Sequence, residues 1–234
     1  MNSALRTDQK YLLGAGAFSI LAWISEPLRW VMIPFVYLNT HLHELAHAVT
    51  AVGTGGSVGH IQVFQNGSGV TQVVGGDLLL VGSAGYVGAA ALGGAYILAA
   101  RTPHGARLGL QITAVTIALA LVIWIRGDIV GVVSAGLWAG SLAALAKWGT
   151  DAVVQFSVAL LGIFQGLTSL QSLLELLHIS SARYGATDAE LLARITGLPP
   201  LVWAIGWAVL STVILGLSLR AAWGSPTHQK PKPR

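Results

Sequence analysis

The fold class follows from an uncharged stretch, residues 78–100, which reads LLLVGSAGYVGAAALGGAYILAA. About 20 consecutive apolar residues are enough for one α-helix to cross the hydrocarbon core of a lipid bilayer. Four more uncharged stretches of comparable length follow in the chain, at residues 108–125, 129–146, 152–174 and 195–219. The sequence therefore predicts an all-α polytopic membrane protein, which crosses the bilayer several times.

The composition excludes a soluble globular domain. Hydrophobic residues make up 54% of the 234 positions and charged residues only 9%, whereas an average soluble domain is about 25% charged. The mean hydropathy of +0.69 also excludes a disordered chain. The net charge of +4 comes from basic residues near the ends of the apolar stretches, so we interpret it as a topology signal and expect no nucleic-acid partner. Cysteine is absent, which rules out disulfide bonds and thiolate metal sites.

The N-terminal segments are less regular than the later ones. Residues 11–25 are apolar over a short length, and we interpret them as a short span or a half-buried helix. A signal-peptide core is the less favoured alternative, because no small-residue cleavage site follows. A longer helix is predicted over residues 28–52. The chain is thus expected to form six to seven membrane helices in a single domain, residues 1–223, followed by a disordered tail, residues 224–234.

A glycine-rich stretch, residues 53–76, separates two of the predicted helices. Residues 61–63 and 70–73 alternate apolar and polar side chains and flank Asn66-Gly67, which is typical of a β-hairpin. Between membrane helices such backbone is tolerated only where protein or water satisfies its hydrogen bonds. We therefore expect a small re-entrant β-hairpin after the helix at residues 28–52.

The candidate chemistry lies in His43-Glu44-Leu45-Ala46-His47, inside the helix predicted over residues 28–52. Residues four apart share one face of a helix, so His43 and His47 can bind one Zn²⁺ together. Glu44, beside the first histidine, can serve as general base toward a water molecule. Ionisable groups inside a membrane helix are costly and mark function by default. The motif therefore predicts a zinc-dependent hydrolase with Glu44 as its catalytic residue.

The other histidines are weaker candidates for metal binding. His41 precedes His43 by two residues and points to a different face of the helix, so we expect it beside the cavity rather than on the metal. His60 begins the predicted hairpin. The remaining three are expected in loops or in the tail: His104, His178 and His228.

These features resemble the site-2-protease-type intramembrane zinc metalloproteases, in their compact bacterial form. The resemblance covers most of the chain and rests on the His-Glu-x-x-His helix, the glycine-rich hairpin and a set of later motifs: Gly85-Tyr86-Val87-Gly88, Thr187-Asp188-Ala189, Thr196-Gly197-Leu198-Pro199, Trp203 and Trp207. It implies an endopeptidase of the bacterial plasma membrane that binds one Zn²⁺ and cleaves membrane-embedded peptide segments. It also implies a third protein ligand to the metal, an Asp from a later segment.

The identity of that third ligand is open between Asp188, Asp128 and Glu175, of which we favour Asp188. The Asn-Pro…Leu-Asp-Gly form of the family's ligand motif is absent, and Ser172 stands where relatives often carry an acid. Counting membrane crossings gives an independent test, since it puts Asp128 and Asp188 on the hairpin side of the membrane. Thr187 further predicts a helix start at Asp188, where the helix dipole favours a carboxylate.

The two remaining carboxylates in this comparison have simpler explanations. Asp77 is on the hairpin side but is expected to cap the next helix, and Asp151 falls at the opposite end of the bundle. Asp128 itself can be explained by an ion pair with Arg126 in a short turn.

Substrate is expected to meet the hairpin. A helical peptide bond is shielded, so a membrane-embedded substrate must unwind, and an exposed hairpin strand can then pair with it. Ile61, Val63 and Val70 are the predicted substrate contacts. Gly85, Ala89 and Gly93 form a small-residue face on one predicted span, which we interpret as packing inside one bundle rather than as an oligomer interface.

Two other classes of function remain open. A catalytically silent relative that regulates a membrane partner is favoured by Ser172 and by the open third ligand. A small transporter of metal ions or protons would use the same His and Glu side chains, but the inverted repeats typical of transporters are not evident.

Overall fold

The computed structural model describes residues 5–182 and 187–224, and the described chain is mostly helical. The helices are, in chain order, α1 (Thr7–Ile24), α2 (Glu26–Gly53), α3 (Leu78–Ala99), α4 (Pro103–Ile123), α5 (Ile129–Trp148), α6 (Asp151–Ala182), α7 (Asp188–Thr196) and α8 (Pro200–Gly224). Two strands lie between α2 and α3, namely β1 (Ser57–Val63) and β2 (Gly69–Val74). The tail predicted over residues 224–234 lies outside the described residues except for Gly224, which ends α8.

Five of the described helices are long and apolar enough to cross a membrane. They are α3, α4, α5, α8 and the first part of α6, Asp151–Thr168. The polytopic character expected from the sequence therefore holds. The predicted number of six to seven spans is not reached by the criteria of length and composition, because α1 and α2 are not among the five.

The last predicted span, residues 195–219, was wrong at its start. α7 ends at Thr196, and Gly197 follows in the left-handed conformation with φ of +75°. Glycine adopts this conformation without steric cost and commonly ends helices. Pro199 and Pro200 cannot extend the preceding helix, so α8 begins anew at Pro200.

Side-chain caps set the starts of several helices. The Asp77 carboxylate accepts hydrogen bonds from the backbone of α3, and the Thr187 hydroxyl accepts one from Glu190 N in α7, as predicted for both. Asp128 was expected to pair with Arg126, but it caps α5 by accepting from Val130 N and Gly131 N. This corrects the ion-pair interpretation, since the Arg126 guanidinium instead donates to the Ile123 carbonyl.

Two histidine placements are also corrected. His104 lies in the first turn of α4, since Thr102 caps that helix and Pro103 occupies its first position. Position 178 falls within α6 rather than in a loop, although its side chain is outside the described part. His60 lies within β1, and His228 is outside the described residues.

α3 packs against α2, α6 and α8 through its small residues. A Cβ atom on Gly93 would lie 3.1 Å from the Gly162 carbonyl oxygen of α6, so the two backbones are close to contact. Gly94 faces Ser218 of α8. The face carrying Gly85, Ala89 and Gly93 is buried within the chain, as expected for packing inside one bundle.

The sequence-predicted hairpin is confirmed. β1 and β2 pair antiparallel, with Ile61 opposite Thr71 and Val63 opposite Gly69. The connection runs through Gly67, whose φ is +83° and whose N–H donates to the Phe64 carbonyl. The outer edge of β1 is also held, because Ile61 N donates to the Trp124 carbonyl and Arg126 N donates to the Ile61 carbonyl. β1 is therefore fixed to the α4–α5 connection.

The close α3–α6 contact predicts that Gly162→Ala destabilises the bundle. The added Cβ would lie 2.9 Å from Ile97 N and 3.0 Å from the Gly93 carbonyl oxygen, and relieving this overlap costs about 1–3 kcal/mol. Thermal unfolding in detergent measures the loss. Gly140→Ala is the matched control, because its Cβ meets nothing within 4 Å. Equal melting temperatures for the two variants would contradict the contact.

Candidate metal centre

Three potential metal ligands converge from α2 and α7. His43 and His47 lie one turn apart on α2, and their Nε2 atoms are 3.1 Å apart. Asp188, the first residue of α7, places Oδ2 3.3 Å from His43 Nε2 and 3.4 Å from His47 Nε2. Among the described residues this is the group of histidines and carboxylates whose ligand atoms lie close enough to share one ion.

The spacing of these three atoms fits Zn²⁺. Ligands bound at about 2.0–2.2 Å in a tetrahedron lie roughly 3.3–3.6 Å from one another, close to the observed separations. His47 Nδ1 is 2.6 Å from the Val81 carbonyl oxygen and must carry a proton to donate to it. In the neutral ring His47 Nε2 then presents a lone pair toward the Asp188 carboxylate. Two electron-rich atoms at this distance repel each other unless a cation or a proton lies between them.

Close approach of α3 helps to enclose the cluster. A side chain at position 85 would overlap His43 Nε2 and His47 Nε2, so only glycine fits at this position. The next residue, Tyr86, contacts His43 edge-on with a centroid distance of 4.8 Å. Tyr86 also stacks on Trp207 of α8. The first histidine is therefore packed against Gly85 and Tyr86 of α3, and Trp207 of α8 stacks on Tyr86.

α7 holds Asp188 against the histidines through a small apolar core. Ala189 and Leu192 of α7 are buried with Ala204 and Trp207 of α8. Burial alone would raise the pKa of the Asp188 carboxyl, but hydrogen bonds and charge interactions with His43 and His47 outweigh it and leave the pKa below its ordinary value. The carboxylate is thus ionised at neutral pH and available as an anionic ligand.

A cavity of about 730 Å³ opens beside the cluster. Its lining includes the metal-ligand candidates, Glu44, and residues of β2 such as Val70 and Thr71. Glu44 is only 5% exposed. Asn39, one turn before His43, also lines the cavity and accepts a hydrogen bond of 2.6 Å from Gln165 of α6. The cavity therefore combines polar groups with an apolar strand.

The other residues considered from sequence lie elsewhere. His41 is fully buried, with Nε2 2.9 Å from Ser134 Oγ, on a different face of α2 as expected. Asp128 is engaged as the cap of α5, and the Glu175 side chain is outside the described part. Of the two candidate carboxylates whose side chains the structure describes, Asp188 is the one that lies beside both histidines.

The expected substrate contacts need revision. Ile61 and Val63 are 0% exposed because their side chains pack into the protein core, so they offer no surface to a substrate. Val70 is 44% exposed and lines the cavity. β2 rather than β1 is therefore the strand that faces this space.

Several contacts at the site carry no sequence signal. The Thr71 hydroxyl bonded to Glu44 belongs to an ordinary alternating strand. Gly85 was part of a small-residue packing face and of the Gly85-Tyr86-Val87-Gly88 motif, but neither predicts its contact with the histidines. The Gln165–Asn39 pair joins two helices 126 residues apart. No local spacing rule identifies such partners, because they depend on how the helices pack.

The chain belongs to the Peptidase M50B-like family, whose family model matches residues 13–218. This is a site-2-protease family of metallopeptidases, and the match confirms the resemblance derived from the motifs. No curated protein and no solved structure matches the chain significantly.

Asp188→Ala is expected to lower the affinity for Zn²⁺ more strongly than replacing a residue that only hydrogen-bonds to a metal ligand. Such a replacement typically lowers metal affinity by roughly 10–100-fold. The physical reason is the loss of one of three ligand atoms. Titration of the purified, metal-stripped protein with Zn²⁺ measures the dissociation constant. Asp128→Ala is the matched control, since it removes a helix-capping carboxylate away from the cluster. Equal affinities for the two variants would exclude Asp188 as a ligand.

Proposed function

We propose that this protein is a zinc-dependent intramembrane endopeptidase that hydrolyses peptide bonds in membrane-embedded segments. The observation that carries the proposal is the convergence of His43, His47 and Asp188 within 3.4 Å of one another, next to a buried glutamate. Five apolar helices in the same chain and membership of a site-2-protease family support a membrane-embedded substrate.

His43, His47 and Asp188 would hold the ion, and the neighbouring structure fixes the position of each. Tyr86 contacts the ring of His43, the Val81 carbonyl accepts from His47, and Thr187 caps the helix that begins at Asp188. When bound, zinc supplies Lewis-acid chemistry, which acidifies water and polarises a carbonyl oxygen. Preorganised ligands keep this chemistry at one point of the cavity.

Glu44 is the general base in this proposal. It follows His43 directly on α2, lies in the same cavity, and is shielded from bulk solvent. As water attacks the peptide carbonyl, the Glu44 carboxylate accepts its proton and later passes it to the departing amine. Glu44 therefore carries the proton from the attacking water to the departing amine.

The free edge of β2 is the proposed docking site for the unwound substrate. In the described residues β2 pairs with β1 alone, so its other edge can add a further strand. Four residues of β2 line the cavity together with Glu44, namely Gly69, Val70, Thr71 and Val73. An extended peptide added to this edge would present its backbone to the metal centre, and backbone pairing would tolerate varied substrate side chains.

Glu44→Gln is expected to abolish cleavage while leaving zinc binding nearly intact, because the amide keeps the shape but cannot accept the proton. Loss of a general base lowers turnover by roughly 100-fold or more. Cleavage of a membrane-embedded test substrate in proteoliposomes measures the rate. Glu190→Gln is the matched control, a carboxylate on α7 that pairs with the exposed Arg194. Unchanged cleavage by Glu44→Gln would refute the proposal, and zinc binding without turnover in the unaltered protein would indicate a silent relative.

Val70→Asp tests the docking strand. A carboxylate at this cavity-lining position would oppose an apolar peptide and raise KM by roughly tenfold. Val74→Asp is the control, since Val74 is also exposed on β2, at 71%, but is not among the residues that line the cavity. Steady-state kinetics of both variants give the comparison. A similar KM for both would argue against docking along β2.

A further inference from the structure

The hairpin is fastened to α2 by three side-chain hydrogen bonds in a row. Tyr37 Oη donates to the Gln65 carbonyl at 2.7 Å, and Thr40 Oγ1 donates to the Gly67 carbonyl at 2.7 Å. Thr71 reaches back from β2 to Glu44. Positions 37, 40 and 44 share one face of α2, since they are three and four residues apart. The hairpin therefore lies along the face of α2 that carries Glu44.

The third of these contacts differs from the other two because it ends on an ionisable group. Thr71 Oγ1 lies 2.7 Å from Glu44 Oε2 and 3.0 Å from the Glu44 backbone carbonyl oxygen. A hydroxyl hydrogen bond to a carboxylate is shorter and stronger than one between neutral groups. This contact can fix the rotamer of Glu44, whereas the other two fix only the position of the hairpin.

Steric fit restricts the same carboxylate from a second side. A Cβ at Gly69 would lie 2.6 Å from Glu44 Oε1 and 2.7 Å from Glu44 Cγ. β2 therefore packs directly on the Glu44 side chain, with the Gly69 backbone against one oxygen and the Thr71 hydroxyl on the other. The carboxylate is confined by the strand rather than by its own helix.

β2 itself has a fixed position. It pairs with β1, and β1 is held at its other edge by the backbone hydrogen bonds of Ile61 and by the buried side chains of Ile61 and Val63. A peptide that adds to the free edge of β2 would therefore pair with the same strand whose Thr71 contacts Glu44. Strand β2 would thus both dock the substrate and orient the general base.

We propose that Thr71 is a positioning residue for Glu44: its hydroxyl holds the carboxylate in the orientation needed for proton transfer and links it to the strand on which substrate docks. This inference rests on the proposed endopeptidase function. It assigns a role to a hairpin residue that neither binds metal nor transfers a proton. A hairpin residue that only fastens β2 would instead affect substrate binding.

The test compares three variants in proteoliposomes with the same membrane-embedded substrate. Thr71→Val keeps the branched shape and removes the hydroxyl, and it is expected to lower kcat by roughly tenfold or more with KM within about twofold, the size expected for a lost hydrogen bond to a charged group. Thr71→Ser restores the hydroxyl and should recover kcat to within about threefold. Thr40→Val is the matched control, because it removes a hydroxyl that joins α2 to the hairpin without touching the Glu44 carboxylate, and it is expected to raise KM more than it lowers kcat.

The outcomes separate this inference from the proposed function. If the unaltered protein cleaves, Glu44→Gln does not, and Thr71→Val keeps full kcat, the positioning role is wrong while the endopeptidase assignment stands. If Thr71→Val and Thr40→Val both change KM alone, Thr71 merely fastens the hairpin and the inference is also overturned. If Glu44→Gln still cleaves, the proposed function fails first. Zinc stoichiometry and melting temperature, measured for every variant, show whether a lost rate reflects unfolding.

Discussion

Two imidazole nitrogens and one carboxylate oxygen meet within 3.4 Å, although Asp188 is 145 residues beyond His43 in the chain. Three electron-rich atoms at this distance repel each other without a cation or added protons, so their convergence needs both a chemical reason and structural support. α2 provides two of the atoms from consecutive turns. The short helix α7 provides the third and is held by its own apolar contacts with α8. Much of the remaining architecture serves to keep these two helices together.

The hairpin beside this cluster is held by several kinds of contact. Irregular backbone at membrane depth must be satisfied by protein or by water. The hairpin meets that condition on three sides, through strand pairing, through the α4–α5 connection at Ile61 and through hydrogen bonds from α2. The fourth side, the free edge of β2, opens on the cavity. The free edge of β2 is thus the side of the hairpin that is available for pairing with a peptide.

The sequence predicted the local parts of this structure well. The apolar stretches placed the long helices, Asn66-Gly67 placed the hairpin, and the spacing of His43 and His47 placed two ligand candidates on one face of α2. Crossing parity predicted that Asp188 shares a side of the membrane with the hairpin, but it predicted the same for Asp77 and Asp128. The packing of α7 places Asp188 beside the histidines, whereas the carboxylates of Asp77 and Asp128 cap helices α3 and α5.

The predictions that were wrong failed because of local backbone breaks or tertiary packing. Residues 195–219 are apolar throughout, but the left-handed Gly197 and the two prolines after it divide the segment into α7 and the start of α8. Ile61 and Val63 looked like one face of an exposed strand, yet their side chains are fully buried in the core. The outer edge of β1 is also held at Ile61 by the α4–α5 connection. Contacts such as Thr71 with Glu44 and Gly85 with the histidines depend on tertiary packing, which periodicity does not encode.

The most direct test of the central claim is an anomalous-scattering map of crystals grown with Zn²⁺, collected on both sides of the zinc absorption edge. The account predicts one strong peak per chain, within about 2.0–2.2 Å of His43 Nε2, His47 Nε2 and an Asp188 carboxylate oxygen. A peak bound to the two histidines but remote from Asp188, or a peak elsewhere in the chain, would contradict it.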